Sequence, residues 1–173
     1  MSQHQTKWQE ELVKNAIYRI DESLRMIRKS LDLLSDNEIW LRPNAVSNSV
    51  GNQILHLCGN MTQYGISSLG LKEDNRHRDQ EFSTTGGLTK SQLLEKLEKV
   101  VTAVKEEIVS INTEQLLKVR NVQSFKMSGI GVILHLAEHL SYHTGQIAFW
   151  TKILKNENLG FYDGINLNST NNE

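Results

Sequence analysis

The sequence predicts an all-α domain folded as a four-helix bundle, and three observations favour this fold. The 173-residue chain has a single proline, Pro43. Runs of alternating apolar and polar residues, which are typical of half-buried strands, are scarce. Apolar residues instead recur near the 3.6-residue helical period in four long stretches joined by two longer connections. The length suits one domain, residues 1–173, with a sizeable core.

The first two helices are predicted from apolar stripes and a capping residue. The first helix should run from about Thr6 to Leu34, with its many charged residues on the face opposite the stripe. A connection over residues 35–49 follows. Ser49 ends this connection as a suitable N-cap, because its hydroxyl can accept a hydrogen bond from the first turn of a helix over residues 50–69.

The second half of the chain is predicted to alternate irregular segments with two further helices. Both helices are preceded by a capping residue, Thr89 in a capping box with Gln92, and Ser128. These signals and the apolar period predict a third helix that ends at about Ile111 and a fourth helix over residues 131–155. A long loop over residues 70–88 precedes the third helix, and a connection over residues 113–127 precedes the fourth. The tail from about residue 156 is expected to be partly disordered.

The fourth helix carries three histidines at four-residue spacing, His135, His139 and His143. On a helical wheel, His139 and His143 fall within the apolar stripe and His135 lies nearer its edge. A polar side chain that faces a core must be hydrogen-bonded or bound to a ligand, and neutral imidazole is a common metal ligand. His135 and His143 are about 12 Å apart along the helix, so one ion cannot bind all three. The spacing favours His139 and His143 as metal ligands, with a structural histidine ladder as the alternative.

The second helix offers the third ligand from a strip of polar side chains without formal charge. Such a strip is more typical of a lined cavity than of a solvated face, although the solvated face is the alternative. His56 is the preferred third ligand, and His77, in a charged loop, is the competitor. The strip comprises Asn52, Gln53, His56, Asn60 and Gln63.

Two segments of the chain together resemble the DinB-like superfamily. The first is Ser47-Asn48-Ser49-Val50-Gly51 followed by Ile54-Leu55-His56-Leu57-Cys58-Gly59-Asn60, and the second is His135-x-x-x-His139-x-x-x-His143-Thr144-Gly145-Gln146-Ile147. A loop sequence, Arg78-Asp79-x-Glu81-Phe82, resembles that of one uncharacterised branch. The resemblance implies a four-helix bundle that is often dimeric, a metal triad matching His56, His139 and His143, and metal-dependent transferases, isomerases or hydrolases, some of which use thiols such as bacillithiol or mycothiol.

A second motif competes with this interpretation. His135-Leu136-Ala137-Glu138-His139 matches H-x-x-E-H, in which two histidines bind zinc and the glutamate acts as the general base of a peptidase. Glu138, however, is predicted to lie off the stripe that holds the other ligands. The pattern is also short enough to occur by chance, so the peptidase interpretation is disfavoured.

Three neutral histidines would leave an open coordination position, which is typical of catalytic metal sites. Zinc is the default ion, with nickel, iron, cobalt or manganese as alternatives. The ion could activate a low-molecular-weight thiol for attack on an electrophile or activate water for hydrolysis, and a non-enzymatic metal site is a further alternative. Asn52, Asn60 and Gln146 could support the ligands or the substrate, Arg76 and Arg78 could meet an anionic group, and Cys58 is expected to be a core thiol.

The composition narrows the expected partners. The net charge of −1 gives no electrostatic case for nucleic acid or an anionic membrane. No apolar run approaches the roughly 20 residues that cross a bilayer. A single cysteine excludes an internal disulfide and fits a reducing cytoplasm. We therefore expect a cytoplasmic protein with a small-molecule substrate, and the DinB-like resemblance adds a homodimer.

Overall fold

The computed structural model of the protein describes residues 3–171 and confirms an all-α bundle. Four long helices form it: α1 (Gln3–Leu33), α2 (Val50–Met61), α4 (Lys90–Ser110) and α6 (Gly129–Lys155). The shorter elements are a 3-10 turn (Glu38–Trp40), a π-helix (Thr62–Leu69), α3 (Arg78–Ser83), α5 (Thr113–Leu117) and the strands β1 (Val119–Val122) and β2 (Phe125–Ser128).

The core lies where the apolar stripes of the four long helices meet. α1 packs mainly along α6, and α2 packs mainly along α4, with a smaller interface between α2 and α6. Removing these stripes from water is the main driving force for the association of amphipathic helices. Each long helix contributes fully buried side chains, among them Ile20, Ile27, Ile54, Leu57, Leu93, Leu97, Leu136 and Leu140.

The predicted caps are confirmed at three helix starts. The side chain of Ser49 accepts a hydrogen bond from the backbone amide of Asn52. Thr89 accepts one from the amide of Gln92, and both of these pairs form reciprocal capping boxes. Ser128 accepts a hydrogen bond from the Gly131 amide, which starts α6 two residues earlier than periodicity alone predicts. The caps thereby fix where the ligand-bearing helices begin.

The helix predicted over residues 50–69 changes its geometry after Met61. Residues Thr62–Leu69 form a π-helix in place of continuing α-helix. Here the backbone passes close to α4, since a Cβ built on Gly65 would lie 2.7 Å from a methyl carbon of Val104. The apolar period of this segment did not reveal the change of helix type.

Two segments that were predicted to be irregular contain short elements. The loop over residues 70–88 includes the six-residue helix α3. The connection over residues 113–127 includes α5 and an antiparallel hairpin in which Val119 pairs with Ser128. Because the hairpin turn at Gln123 lacks an Asn-Gly or Asp-Gly pair, the strongest sequence signal for a hairpin is missing.

The C-terminal tail makes contacts with the bundle. Asn156 adopts a left-handed conformation and ends α6. Leu159 is buried, and the Lys29 ammonium donates a hydrogen bond to the carbonyl of Gly160 at 2.6 Å. The expected disorder of the tail stays a prediction, and its last two residues, 172–173, lie outside the described range. Within residues 3–171, no helix is both long and apolar enough to cross a membrane.

Candidate metal centre

Three histidines from two facing helices form a cluster inside the bundle. His56 comes from α2, and His139 and His143 come from successive turns of α6. One ring nitrogen from each residue can be chosen so that all three lie within 4.8 Å of one another. The Nε2 atoms of His56 and His139 are separated by 2.9 Å. The structure thus brings together the three side chains that the sequence predicted as metal ligands.

The cluster is buried at one end and open at the other. His56 is 6% exposed and His143 is 8% exposed, whereas His139 is only half-buried. Two aromatic rings lie beside it: the ring centroid of Phe82 is 4.9 Å from that of His56, and that of Tyr142 is 5.0 Å from that of His143. Access from solvent is therefore at the His139 side.

The other two candidate histidines lie outside the cluster. The ring of His135 stacks on Tyr64 with centroids 4.0 Å apart, and its Nε2 lies 3.3 Å from the side-chain nitrogen of Asn60. The ring of His135 also stacks on that of His139 with centroids 5.1 Å apart, but its nitrogens do not join the three-histidine group. His77 is exposed at the start of α3 and takes no part in the cluster.

Burial keeps the α6 histidines neutral. Desolvation, followed by repulsion from His143 and His56, lowers the pKa of His139 to about 3. Desolvation and His56 lower the pKa of His143 to about 4, with a hydrogen bond to Gln146 acting in the opposite direction. Both rings consequently present unprotonated nitrogens near neutral pH, which is the state that binds metal.

An ion pair lies behind His56. The Nδ1 atom of His56 is 2.9 Å from a carboxylate oxygen of Glu81. Arg76 binds the same carboxylate through two nitrogens, at 2.7 and 2.8 Å, and its side chain is only 4% exposed. Burial alone would raise the pKa of Glu81, but hydrogen bonds from Arg76 and His56 outweigh burial and lower it. Glu81 is therefore ionised, and it contacts His56 on the side of the ring opposite the other two histidines.

The predicted role of Arg76 in binding an anionic group needs correction, whereas that of Arg78 stays a prediction. Arg76 is not free for an anionic substrate, because its guanidinium is occupied by Glu81 and Gln63. Arg78 lies over the ring of Phe82, with its guanidinium carbon 4.7 Å from the ring centroid. Glu81 was noticed in the sequence only as part of a motif. Its contact with His56 could not be inferred, since the six-residue helix that carries it gives no periodicity signal.

The amides near the cluster divide into two groups. Asn52 does not touch the histidines. Its side-chain nitrogen instead donates to the carbonyls of Glu81 and Thr84, at 3.0 and 2.6 Å, and so ties the α3 segment to α2. The oxygen of Gln53, which had no assigned role, lies 3.4 Å from Nδ1 of His143. Gln53 and Gln146 are therefore the amides that contact His143 of the cluster, whereas Asn60 contacts His135.

Neither Glu138 nor Cys58 belongs to the histidine cluster. Glu138 is exposed and lines a cavity with Tyr18 and Arg19 of α1, on another face of α6. This position disfavours the inverted peptidase motif, which needs the glutamate beside the metal. Cys58 is 2% exposed, and burial raises its pKa to about 12, as expected for a core thiol.

The donor set fits a divalent metal ion. Two nitrogens that bind one tetrahedral zinc at about 2.1 Å are about 3.4 Å apart, whereas the Nε2 atoms of His56 and His139 are 2.9 Å apart and one nitrogen from each of the three histidines lies within 4.8 Å of the others. The pair at 2.9 Å is too close for two lone pairs to face each other without a proton or a cation between them. Small outward shifts of the rings would accommodate an ion among the three histidines.

Solved structures share this fold at low sequence identity. A conserved protein from Enterococcus faecalis has a TM-score of 0.70 and 16% identity over 83% of this chain and 97% of its own. A DinB-like protein from Bacillus cereus has a TM-score of 0.66 and 18% identity over 84% and 91%. The DinB-like protein YjoA from Bacillus subtilis has a TM-score of 0.63 and 14% identity over 88% and 97%.

The bundle has the fold of the DinB-like proteins among these structures, and its three clustered histidines form a candidate metal site. Residues 7–163 match a family described as "Protein of unknown function (DUF1572)", and the chain belongs to that family. No curated protein matches the chain. Family membership and fold therefore leave the reaction to be inferred from the site.

Proposed function

We propose that this protein is a metal-dependent enzyme in which a low-molecular-weight thiol attacks a small electrophilic substrate. The observation that carries the proposal is the convergence of three histidine nitrogens at the half-open end of a buried cluster. A structural metal site is normally closed by four protein ligands, whereas three ligands leave room for a reactant. The ring of His139 marks the accessible side.

Zinc is the ion we expect, because three imidazole ligands with a fourth position left open are typical of catalytic zinc sites. Nickel, iron, cobalt and manganese are the alternatives, since imidazole also binds these ions. When bound, the ion would supply the positive charge that favours loss of the thiol proton. The thiolate sulfur would then form a bond to the electrophilic carbon while the leaving group departs with the bonding electrons, and the thiol proton passes to solvent.

The protein's own side chains would bind and orient the reactants. His139 and His143 are held neutral by burial, so they compete weakly for protons near neutral pH. Phe82 and Tyr142 provide apolar surface on either side of the cluster. Tyr142 is 62% exposed and is therefore placed to contact an incoming organic substrate. These features favour an electrophile with an apolar part.

A metal-dependent hydrolase is the alternative enzyme, and one feature disfavours it. Hydrolysis usually needs a general base that can take a proton from water. The carboxylate at the cluster belongs to Glu81, and it is already bound by Arg76 and His56. A thiol, being more acidic than water, needs less help to lose its proton. A non-enzymatic metal-binding bundle is the remaining alternative.

We further propose that two copies associate through an exposed apolar face of α6. Phe149 and Ile153 are 66% and 54% exposed on this face. Gly145 lies beside them, and a Cβ built there meets nothing within 4 Å, so a helix from another copy could approach closely. The net charge and the single cysteine support a cytoplasmic enzyme that acts on a small molecule without nucleic-acid or membrane partners.

Metal analysis and a turnover screen test the proposed function. Untagged protein should contain about one divalent ion per chain, and a thiol titration should perturb the absorption spectrum of the Co²⁺-substituted protein. A panel of thiols and electrophiles should then show turnover that a chelator abolishes. Turnover of esters or amides without a thiol would favour the hydrolase. Stoichiometric metal with no turnover of either kind would favour the non-enzymatic alternative.

A further inference from the structure

We propose that Glu81 is the residue that positions His56 for metal binding, and that Arg76 and Gly59 hold Glu81 in place. The inference rests on the metal site of the proposed function but not on the reaction. It assigns a task to three residues that take no direct part in the histidine cluster. Glu81 acts on the ion only through His56, so it is a positioning residue.

The hydrogen-bond geometry determines which nitrogen of His56 faces the metal. An ionised carboxylate can only accept hydrogen bonds, so the 2.9 Å contact with Glu81 requires a proton on Nδ1 of His56. A neutral imidazole protonated on Nδ1 presents its lone pair at Nε2. That is the atom 2.9 Å from Nε2 of His139. The carboxylate therefore selects the tautomer and the ring orientation that metal binding needs.

Arg76 holds the carboxylate from the opposite side. Its Nε and Nη2 atoms donate to the two oxygens of Glu81 in a bidentate pair, and Nη1 donates to Gln63 at 2.9 Å. Nη2 also lies 3.1 Å from Nδ1 of His56, but both atoms carry protons, so this approach is a contact and not a second hydrogen bond. A rigid guanidinium fork fixes the plane of the carboxylate more strongly than a single donor would.

Gly59 provides the space that the ion pair occupies. It lies one turn after His56 on α2, and a Cβ built there would collide with the Glu81 carboxylate and would lie 3.0 Å from Nε of Arg76. A glycine inside a helix lowers helix stability relative to alanine. The close approach of the ion pair gives a physical reason for this glycine.

The α3 segment is fastened so that Glu81 faces α2. Asn52, one turn before His56, donates to the Glu81 carbonyl at 3.0 Å. Beyond the ion pair lies a cavity of about 540 Å³ between α2, α3 and α4, with Arg76 and Glu81 in its wall. Loss of either side chain would open the back of His56 to water from this cavity. Water can replace a hydrogen bond, but it does not fix the orientation of the ring.

Zinc affinity of the full-length untagged protein tests the role of Glu81. We expect Glu81→Gln to weaken Zn²⁺ binding roughly 10- to 100-fold, because an amide cannot accept from His56 and from both nitrogens of Arg76 at once. Arg76→Met should weaken binding less, since Arg76 acts through Glu81. Asp79→Asn, which removes the same charge from an exposed position on α3, is the matched control and should bind like the wild type.

A glycine pair tests the same inference without removing a polar group. Gly59→Ala should displace Glu81 and weaken Zn²⁺ binding about 10-fold. Gly86→Ala, in the loop before α4, should have no effect, because an added Cβ there would meet nothing within 4 Å. The spectrum of bound Co²⁺ should shift in Gly59→Ala and Glu81→Gln but not in the two controls, which separates a change in ligand orientation from a general loss of stability.

The outcomes distinguish this inference from the proposed function. Equal Zn²⁺ affinity and an unchanged Co²⁺ spectrum in Glu81→Gln and Gly59→Ala would overturn the role of Glu81 while leaving the metal site intact. Absence of metal binding in the wild type would overturn the metal site itself. If Glu81→Gln does not fold, Gly59→Ala decides the matter alone, because it leaves all the hydrogen-bonding groups in the chain.

Discussion

The Nε2 atoms of His56 and His139 lie 2.9 Å apart, although the two residues are 83 positions apart in the sequence. Lone pairs at this distance repel unless a proton or a cation lies between them. In the metal-free protein, neutral His139 with its proton on Nε2 can donate a hydrogen bond to Nε2 of His56. A metal cation that binds both nitrogens would take the place of that proton.

Alanine substitutions should separate ligands from neighbours. His56→Ala, His139→Ala and His143→Ala should each weaken Zn²⁺ binding by at least about 100-fold, more than loss of a supporting residue. His135→Ala should keep binding, because the ring of His135 stacks on those of Tyr64 and His139 but contributes no nitrogen to the cluster. Bound metal is measured by competition with a chromophoric chelator. Loss of metal in His135→Ala together with retention in His143→Ala would mean that the site lies one turn earlier on α6.

The metal-free protein should lose stability in acid. His139 and His143 have pKa values of about 4 or less in the fold, below the value of about 6.5 for an unperturbed histidine. Between these values the unfolded chain binds more protons than the folded one, so the free energy of unfolding falls as the pH decreases from about 6.5 toward 3. Above about pH 6.5 these two residues add no pH dependence.

Denaturant titrations in the presence of a chelator, at pH 7, 5 and 4, measure this dependence. The double variant His139→Gln/His143→Gln removes the two titrating groups and should reduce the slope of stability against pH. An equal slope in the wild type and the double variant would show that other groups cause the acid sensitivity.

The exposed face of α6 should mediate dimer formation. Phe149→Lys places a charge beside Gly145 and Ile153 and should convert a dimer to a monomer in sedimentation at micromolar concentration. Phe125→Lys, at a similarly exposed aromatic residue on β2, is the control and should leave the dimer intact. A monomeric wild type would remove the proposed dimer altogether.

The thiol of Cys58 should be unreactive in the folded protein. Because burial raises its pKa to about 12, alkylating reagents should modify it only after unfolding. Cys58→Ala should lower the free energy of unfolding by about 1 kcal/mol through the loss of buried volume. Zn²⁺ affinity should be unchanged. Rapid alkylation of the folded protein, followed by mass spectrometry, would contradict this.

Periodic and capped parts of the chain could be predicted from the sequence, and so could the geometry of the histidines. Ser49, Thr89 and Ser128 start helices because a cap is a local hydrogen bond that the next three residues reveal. His139 and His143 lie on one face for the equally local reason that a helix repeats about every four residues. His56 was found because it stands among uncharged side chains on an otherwise apolar helix.

Features created by contact between distant segments escaped prediction. Glu81 reaches His56 only because α3 folds back onto α2, and a six-residue helix has too few turns to show a period. Arg76 looks like a solvated loop residue until its carboxylate partner is known. The close approach of Gly65 in the π-helix to Val104 is likewise a contact between distant segments, which no local pattern encodes.

The packing of the four long helices has a mechanical consequence. α1 lies mainly along α6, and α2 lies mainly along α4, so His56 belongs to one helix pair while His139 and His143 belong to the other. An ion held by all three would act as a clamp that joins the two halves of the bundle across more than 80 residues of intervening chain. Pulling the halves apart would then require breaking coordination bonds as well as apolar contacts, and the force needed to unfold the protein should rise when metal is added.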